Sequence, residues 1–347
     1  MKKIGLKKKG YPYTFARVSV MKSKLLQKSE YQKLLRMRIE SITQYLQDSS
    51  YKSAIDRLAL QYSGIDLVEQ SLNLDLVLTF QKLRRISEPE VRTLIDAYAM
   101  RWDMYNIKTI IRGIFSGSDR VYIRSLLVPV GLLDITKLEA LLKAASVEEV
   151  LKSAKIFKLE SLKQAIQSFK ESGKLIEIEN RLDQIYFENG LNVALAIGDE
   201  GRLFAKFLLT EIDIINIRNL MRMKREGFSR ADTEKHLIFS GRVLNRQRLV
   251  KLAKAESFAA LMNELKKTDY AKAVETGGES LIDAELELDK YLIKRSFLYT
   301  HQHPMSVMSI LTYMMNKIIE VKNLKTLSRA KQLGIEDKYI EEKLIVM

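Results

Sequence analysis

A chain of 347 residues that is 46% apolar, with 15 Gly, 4 Pro and no Cys, has material for two or three helix-rich domains. The missing cysteines exclude a disulfide framework, a thiolate metal site and a cysteine nucleophile. Its 58 Lys and Arg against 43 Asp and Glu leave a charge of +15, which favours anionic partners (nucleic acid, acidic proteins or an anionic lipid surface) without choosing among them.

Residues 1–10, MKKIGLKKKG, read as a basic extension, and Lys7-Lys8-Lys9 as a solvated tail or a contact for anionic headgroups. The following YPYTFARVSV is broken by Arg17 and has no continuous apolar core for a signal peptide, so a cytoplasmic chain is expected. Ser87-Glu88-Pro89-Glu90 predicts a helix start, with an N-cap followed by Pro and acids in the first turn. That helix runs through Trp102, read as a packing residue, into DMYNIKTIIRGIFSG (103–117). The apolar stretch from Leu126 to Leu133 is interrupted by Pro129 and is far shorter than the ~20 residues of a membrane span.

The segment at 103–117 returns as DIINIRNLMRMKREG (213–227) and EVKNLKTLSRAKQLG (320–334). The shared pattern is [Asp/Glu]-x-x-Asn-[Ile/Leu]-[Lys/Arg]-x-[Ile/Leu]-x-Arg-x4-Gly, with apolar residues at helical spacing and the Gly placed for a left-handed C-cap. A Leu-Asp pair stands 31, 33 and 34 residues before the motif Asn, at Leu74-Asp75, Leu182-Asp183 and Leu288-Asp289. LLDITKLEALLKAASVEEVL (132–151) matches VLNRQRLVKLAKAESFAALM (243–262), with a looser relative at 25–46. A period near 110 residues exceeds the units of solenoids and propellers and equals a small domain. The reading is an all-α chain of three related helical domains, 1–118, 119–228 and 229–347, either closed into a pseudo-threefold body or strung as a linear array.

In each motif the acid and the Asn share one helix face, while the cations at i and i+4 (Lys108/Arg112, Arg218/Arg222, Lys325/Arg329) line a neighbouring one. Asp103, Asn106, Arg112, Asp213, Asn216, Arg222, Glu320, Asn323 and Arg329 are therefore expected to act as buried polar fasteners. They would bind the Leu-Asp helix of their own domain through Asp75, Asp183 and Asp289. An acid/base or phosphate site is the competing reading, and threefold repetition without an accompanying His or nucleophile argues against it. No phosphate loop, dinucleotide fingerprint or zinc-protease motif occurs, and His301 and His303, with one other His in the chain, read as part of a polar loop before a helix. No catalytic, cofactor-binding or metal residue is assigned.

The stretch EVKNLKTLSRAKQLGIEDKYIEEKLI (320–345) resembles the C-terminal signature of the C subunit of archaeal and bacterial V/A-type rotary ATPases, the counterpart of the d subunit in vacuolar ATPases. YPYTFARVSVMKSKLL (11–26) is similar to that family's start, and with the triple motif and the length the resemblance covers nearly the whole chain. It implies an all-helical, pseudo-threefold funnel of three related domains, peripheral at the cytoplasmic face of the cell membrane. Such a protein is a non-catalytic part of the central stalk that sits on the proteolipid c-type rotor ring. Its hollow takes the tip of the shaft formed by the D and F subunits, and it transmits torque for proton- or sodium-coupled ATP synthesis or hydrolysis. No cofactor, nucleic acid or small-molecule substrate is implied. The chain departs from the family at Ile318, where an acid is common, at Ala330, where Gly is usual, and in its lysine-rich residues 1–10. The alternative is a basic helical nucleic-acid-binding protein; against it, the cations are dispersed among acids and no basic-aromatic module is present.

Overall fold

The computed structural model describes residues 11–278 and 280–346, and the lysine-rich extension at 1–10 lies outside them. The described residues are all-α, without a strand. Six helices of 20 to 28 residues dominate, two per copy of the repeat. The upstream helices are Gly64–Ile86, Ile176–Leu195 and Leu281–Gln302, and the closing helices, which carry the motif, are Pro89–Ser116, Gly198–Arg225 and Val307–Gln332.

Local chemistry accounts for their ends. Pro89 opens the first closing helix, where its missing N–H is not needed. The motif glycines Gly117, Gly227 and Gly334 all stand at positive φ (68°, 72° and 69°), the left-handed cap conformation that only Gly adopts without steric cost. The third closing helix starts at Val307, later than His303-Pro304 alone indicates, because the Ser306 hydroxyl accepts the Met308 N–H as its N-cap.

Each closing helix packs against two upstream helices, that of its own copy and that of the next. The third closing helix packs against the upstream helix of the first copy, so the order of contacts is cyclic. The N-terminal halves of the closing helices also touch one another. Tyr98 lies against Phe207 with ring centroids 5.9 Å apart, Arg101 pairs with Glu211 at 2.9 Å, and Glu200 accepts the Val307 N–H at 2.7 Å. Tyr98, Phe204 and Phe207 are all buried in this zone.

Shorter helices fill the outer positions in the same order in each copy. Lys28–Leu35, Ile39–Gln47 and Lys52–Leu58 precede the first upstream helix, and Arg246–Ala253, Phe258–Leu265 and Ala271–Gly277 precede the third. Ile135–Leu142, Val147–Ser153 and Lys163–Ser172 occupy the matching positions before the second. Each cluster lies on its own upstream helix and on the closing helix of the preceding copy. For the cluster nearest the start of the chain, that preceding closing helix is the last one, Val307–Gln332.

Candidate functional site

The first two motif acids and all three motif amides face the segment that follows their own helix, and not the Leu-Asp helix. The Asp103 carboxylate accepts the N–H groups of Leu132 (2.8 Å) and Leu133 (2.9 Å), and Asp213 accepts those of Val243 (2.7 Å) and Leu244 (3.0 Å). Two successive backbone donors converging on a carboxylate form a charge-assisted clamp on the approach to the next cluster of short helices. A Cβ at Gly131 would run into the Asp103 carboxylate, so the chain can come this close only as glycine. Asn106 makes a reciprocal pair with Val128, Nδ2 donating to its carbonyl and Oδ1 accepting its N–H, both at 2.9 Å. Asn216 does the same with Ile238 at 2.8 Å, and Asn323 with Ile345 at 2.8 and 3.0 Å. An amide side chain thereby replaces the partner that an isolated loop peptide lacks, which keeps the buried loop satisfied.

The third acid has a different task. Glu320 holds residues from early in the chain, accepting the Leu26 N–H (2.6 Å) and the Tyr51 hydroxyl (2.5 Å). Leu26 holds the place that Leu133 and Leu244 hold in the other copies, in keeping with the looser sequence relation of 25–46. The Tyr270 hydroxyl donates to Asp213 at 2.8 Å, as Tyr51 does to Glu320. Neither tyrosine belongs to the expected set, although extending the repeat alignment a few residues beyond 46 and 262 brings them nearly into register.

The cations face the next copy. Lys108 donates to Asp183 (2.6 Å) and Arg112 makes a bidentate pair with Glu179 (2.5 Å to each oxygen). Arg218 pairs with Asp289, and Arg222 is bidentate to Glu285 (2.7 and 2.8 Å). Lys325 donates to Asn73 Oδ1 at 2.6 Å and Arg329 is bidentate to Glu69. The sequence reading is corrected here in two respects. The upstream acids are held by the closing helix of the preceding copy rather than of their own, since the cation face of a straight helix points away from the face that carries acid and Asn. Asp289 adds Lys322 of its own copy at 2.8 Å. Moreover, the residue matching Asp183 and Asp289 is Asn73, two positions before the expected Asp75.

Asp75 has a different partner. It accepts an ion pair from Lys317 at 2.7 Å, and Lys317 reaches Glu320 at 2.9 Å while its ammonium lies 4.0 Å from the Tyr51 ring centre. All three charged groups are nearly or fully buried. Burial opposes the charge on Lys317, but Glu320 and Asp75 outweigh it and hold the ammonium above its ordinary pKa. Burial pushes Asp75 up, and Lys317 only partly offsets this. Burial likewise raises Asp103 and Asp213 against the lowering effect of their backbone donors. Burial would raise Asp289 too, yet Arg218 and Lys322 bring it below the usual carboxylate value. Lys325, facing an amide where its counterparts face carboxylates, is lowered by burial.

This arrangement offers hydrogen-bonded carboxylates engaged by backbone N–H groups, tyrosine hydroxyls and a buried ammonium. Among the described residues no three His, Asp or Glu gather in a way that would hold a metal ion, and none of the helices is long and apolar enough to cross a membrane. Trp102 packs edge-on against Phe80 with centroids 5.0 Å apart.

Comparison with known proteins places the chain. The ATP synthase (C/AC39) subunit family matches residues 14–343. The C subunit of the A-type ATP synthase of Methanosarcina acetivorans is 36% identical over 353 aligned positions, covering 98% of this chain and 95% of that one. Those of Methanococcoides burtonii and Halobacterium salinarum are each 33% identical, with 99% and 97% of this chain covered and 98% of the relative in both cases. With its repeated motif and its match from end to end, the chain belongs to the ATP synthase (C/AC39) subunit family.

Proposed function

We propose that this chain is the central-stalk coupling component of a V/A-type ATP synthase, seated on the proteolipid c-type rotor ring and receiving the tip of the D/F shaft. Family membership makes it a non-catalytic component of such a complex, and the linkage and torque transmission are the finer reading. The observation that carries it is the cyclic order of the fasteners. Each motif binds one copy to the next, and the third binds the last copy to the first, so a load applied at one copy is shared by all. A torque carrier needs this, because an open array would bend at its free ends. The domains 1–118, 119–228 and 229–347 belong to the same proposal, each supplying a cluster of short helices to the closing helix before it.

A pseudo-threefold funnel is supported by the way the closing helices meet. Their N-terminal halves touch through Tyr98, Phe207, Arg101 and Glu211, whereas their motif halves hold the next upstream helix. The motif residues thus serve as structural fasteners, and the peripheral position, at the cytoplasmic face, needs no membrane span. Detergent-solubilised complex from the source organism tests the reading. Retention of this chain with the ring and with the D and F subunits is expected, and an intact, coupled enzyme lacking it would overturn the proposal.

A further inference from the structure

We infer that the cleft beside the seam between the first and third copies is a binding site for a phosphate-bearing organic anion. The cleft encloses about 500 Å3, within the range of small-molecule sites. Lys24, Arg57, Lys82 and Arg85 line it together with Ser50 and Ser53. They come from separate parts of the chain: a turn after Pro12–Lys22, the helix Lys52–Leu58 with the turn before it, and the C-terminal end of the upstream helix Gly64–Ile86.

The four cations share one property. None makes an ion pair or a side-chain hydrogen bond among the described residues; Lys24, Arg57 and Arg85 are exposed and Lys82 is half-buried, so all four heads are open to a ligand from solvent. Arg84, lying between Lys82 and Arg85 in sequence, points elsewhere and is held by Asp96 at 2.6 Å and by the Val130 carbonyl. The one carboxylate in the cleft, Asp75, is already engaged by Lys317. Four positive charges around one concavity, with no free acid among its lining residues, raise the local positive potential and attract an anion from solution. Two guanidinium forks and two hydroxyl donors match the oxygens of a di- or triphosphate, with Arg able to grip phosphate bidentately. Met21 and Leu78 on the remaining wall provide an apolar patch for an organic moiety. The ligand chemistry is therefore an organic phosphate, either a free nucleotide or the headgroup of an anionic lipid.

Titration of the full chain with ADP, with pyrophosphate and with phosphatidylglycerol vesicles, followed by calorimetry or sedimentation, tests this. Saturable binding of at least one probe is expected, weakened tenfold or more in R57A/R85A and unchanged in K158A/K174A, which removes two exposed cations elsewhere. Because Arg57 and Arg85 hold no partner, R57A/R85A should melt at or above the parent temperature, so that loss of binding is not loss of fold. Binding confined to the soluble probes assigns a free phosphate, and R57A/R85A-sensitive binding confined to vesicles assigns a lipid headgroup. No saturable binding of any probe, or binding undiminished in R57A/R85A, overturns the inference.

Discussion

The joint between the second and third copies and the joint between the third copy and the first carry the same motif, yet they are held differently. Asp213 clamps backbone that the ribosome supplies 30 residues later, whereas Glu320 must find Leu26 across 294 residues of sequence. The covalent joint keeps two backbone donors and one tyrosine. The seam keeps one backbone donor and one tyrosine, and adds the buried Lys317 with its second carboxylate, Asp75. Closure over a long loop costs more conformational entropy, though only slowly with length. The seam compensates with charge-assisted contacts and a cation held against the Tyr51 ring. One motif can thus serve as a local clamp or as a ring closure, depending on what its acid is given to hold.

The largest effect is expected at the seam. Lys317→Ala leaves two buried carboxylates and Glu320→Ala leaves a buried ammonium with one partner fewer, so each should lose roughly 3–5 kcal/mol in denaturant unfolding. Next comes the covalent joint. Each buried donor left unmade costs about 1–3 kcal/mol. Asp213→Ala strands Tyr270 as well as two N–H groups, and should lower the melting temperature more than Asp103→Ala, whose acid has backbone donors only.

Acid titration separates the clamps from the inter-copy ion pairs. Against the upward push of burial, Arg218 and Lys322 hold Asp289 below its ordinary pKa, so its contribution is complete above the unfolded value near ~3.9 and is lost as pH falls through the lower folded value. The stability gap between the parent and Asp289→Asn should therefore stay constant from neutral pH down to about 5 and close below about 4. Asp103 and Asp213, raised by burial, carry the opposite sign: their contribution is full below the unfolded value and declines as pH rises through the folded one. The smallest effect expected is a gain. Asn73→Asp gives Lys325 the carboxylate its counterparts have, and should stabilise the seam by up to about 1 kcal/mol, measured by urea midpoint.

Much of this is legible in the sequence because repetition isolates what each copy needs. The Gly caps, the all-α class and the division of each motif helix into an acid-Asn face and a cation face follow from spacing alone. The partners of those faces do not. Helical periodicity states which residues share a face, but not which neighbour the face meets, and for this reason spacing assigns the cations to the wrong copy. The two-residue slip at Asp75 has a similar cause. Leu-Asp recurs near the right place, while the position that meets the cation has become Asn73, so the surviving Asp draws the alignment to itself. Lys317 is silent, since its counterpart Thr210 gives no hint that a buried charge is needed where the ring closes.

The central claim, that the fasteners close a ring of three copies, is tested most directly by circular permutation. Joining the present termini through residues 1–10 and a flexible linker, and opening the chain between Gly117 and Asp119, moves the seam from the third joint to the first. A closed ring predicts a protein of unchanged helical content that unfolds cooperatively, in which Glu320→Ala becomes no more damaging than Asp213→Ala is in the parent. A permutant that fails to fold, or one in which Glu320→Ala keeps its full effect while Asp103→Ala has none, would contradict it.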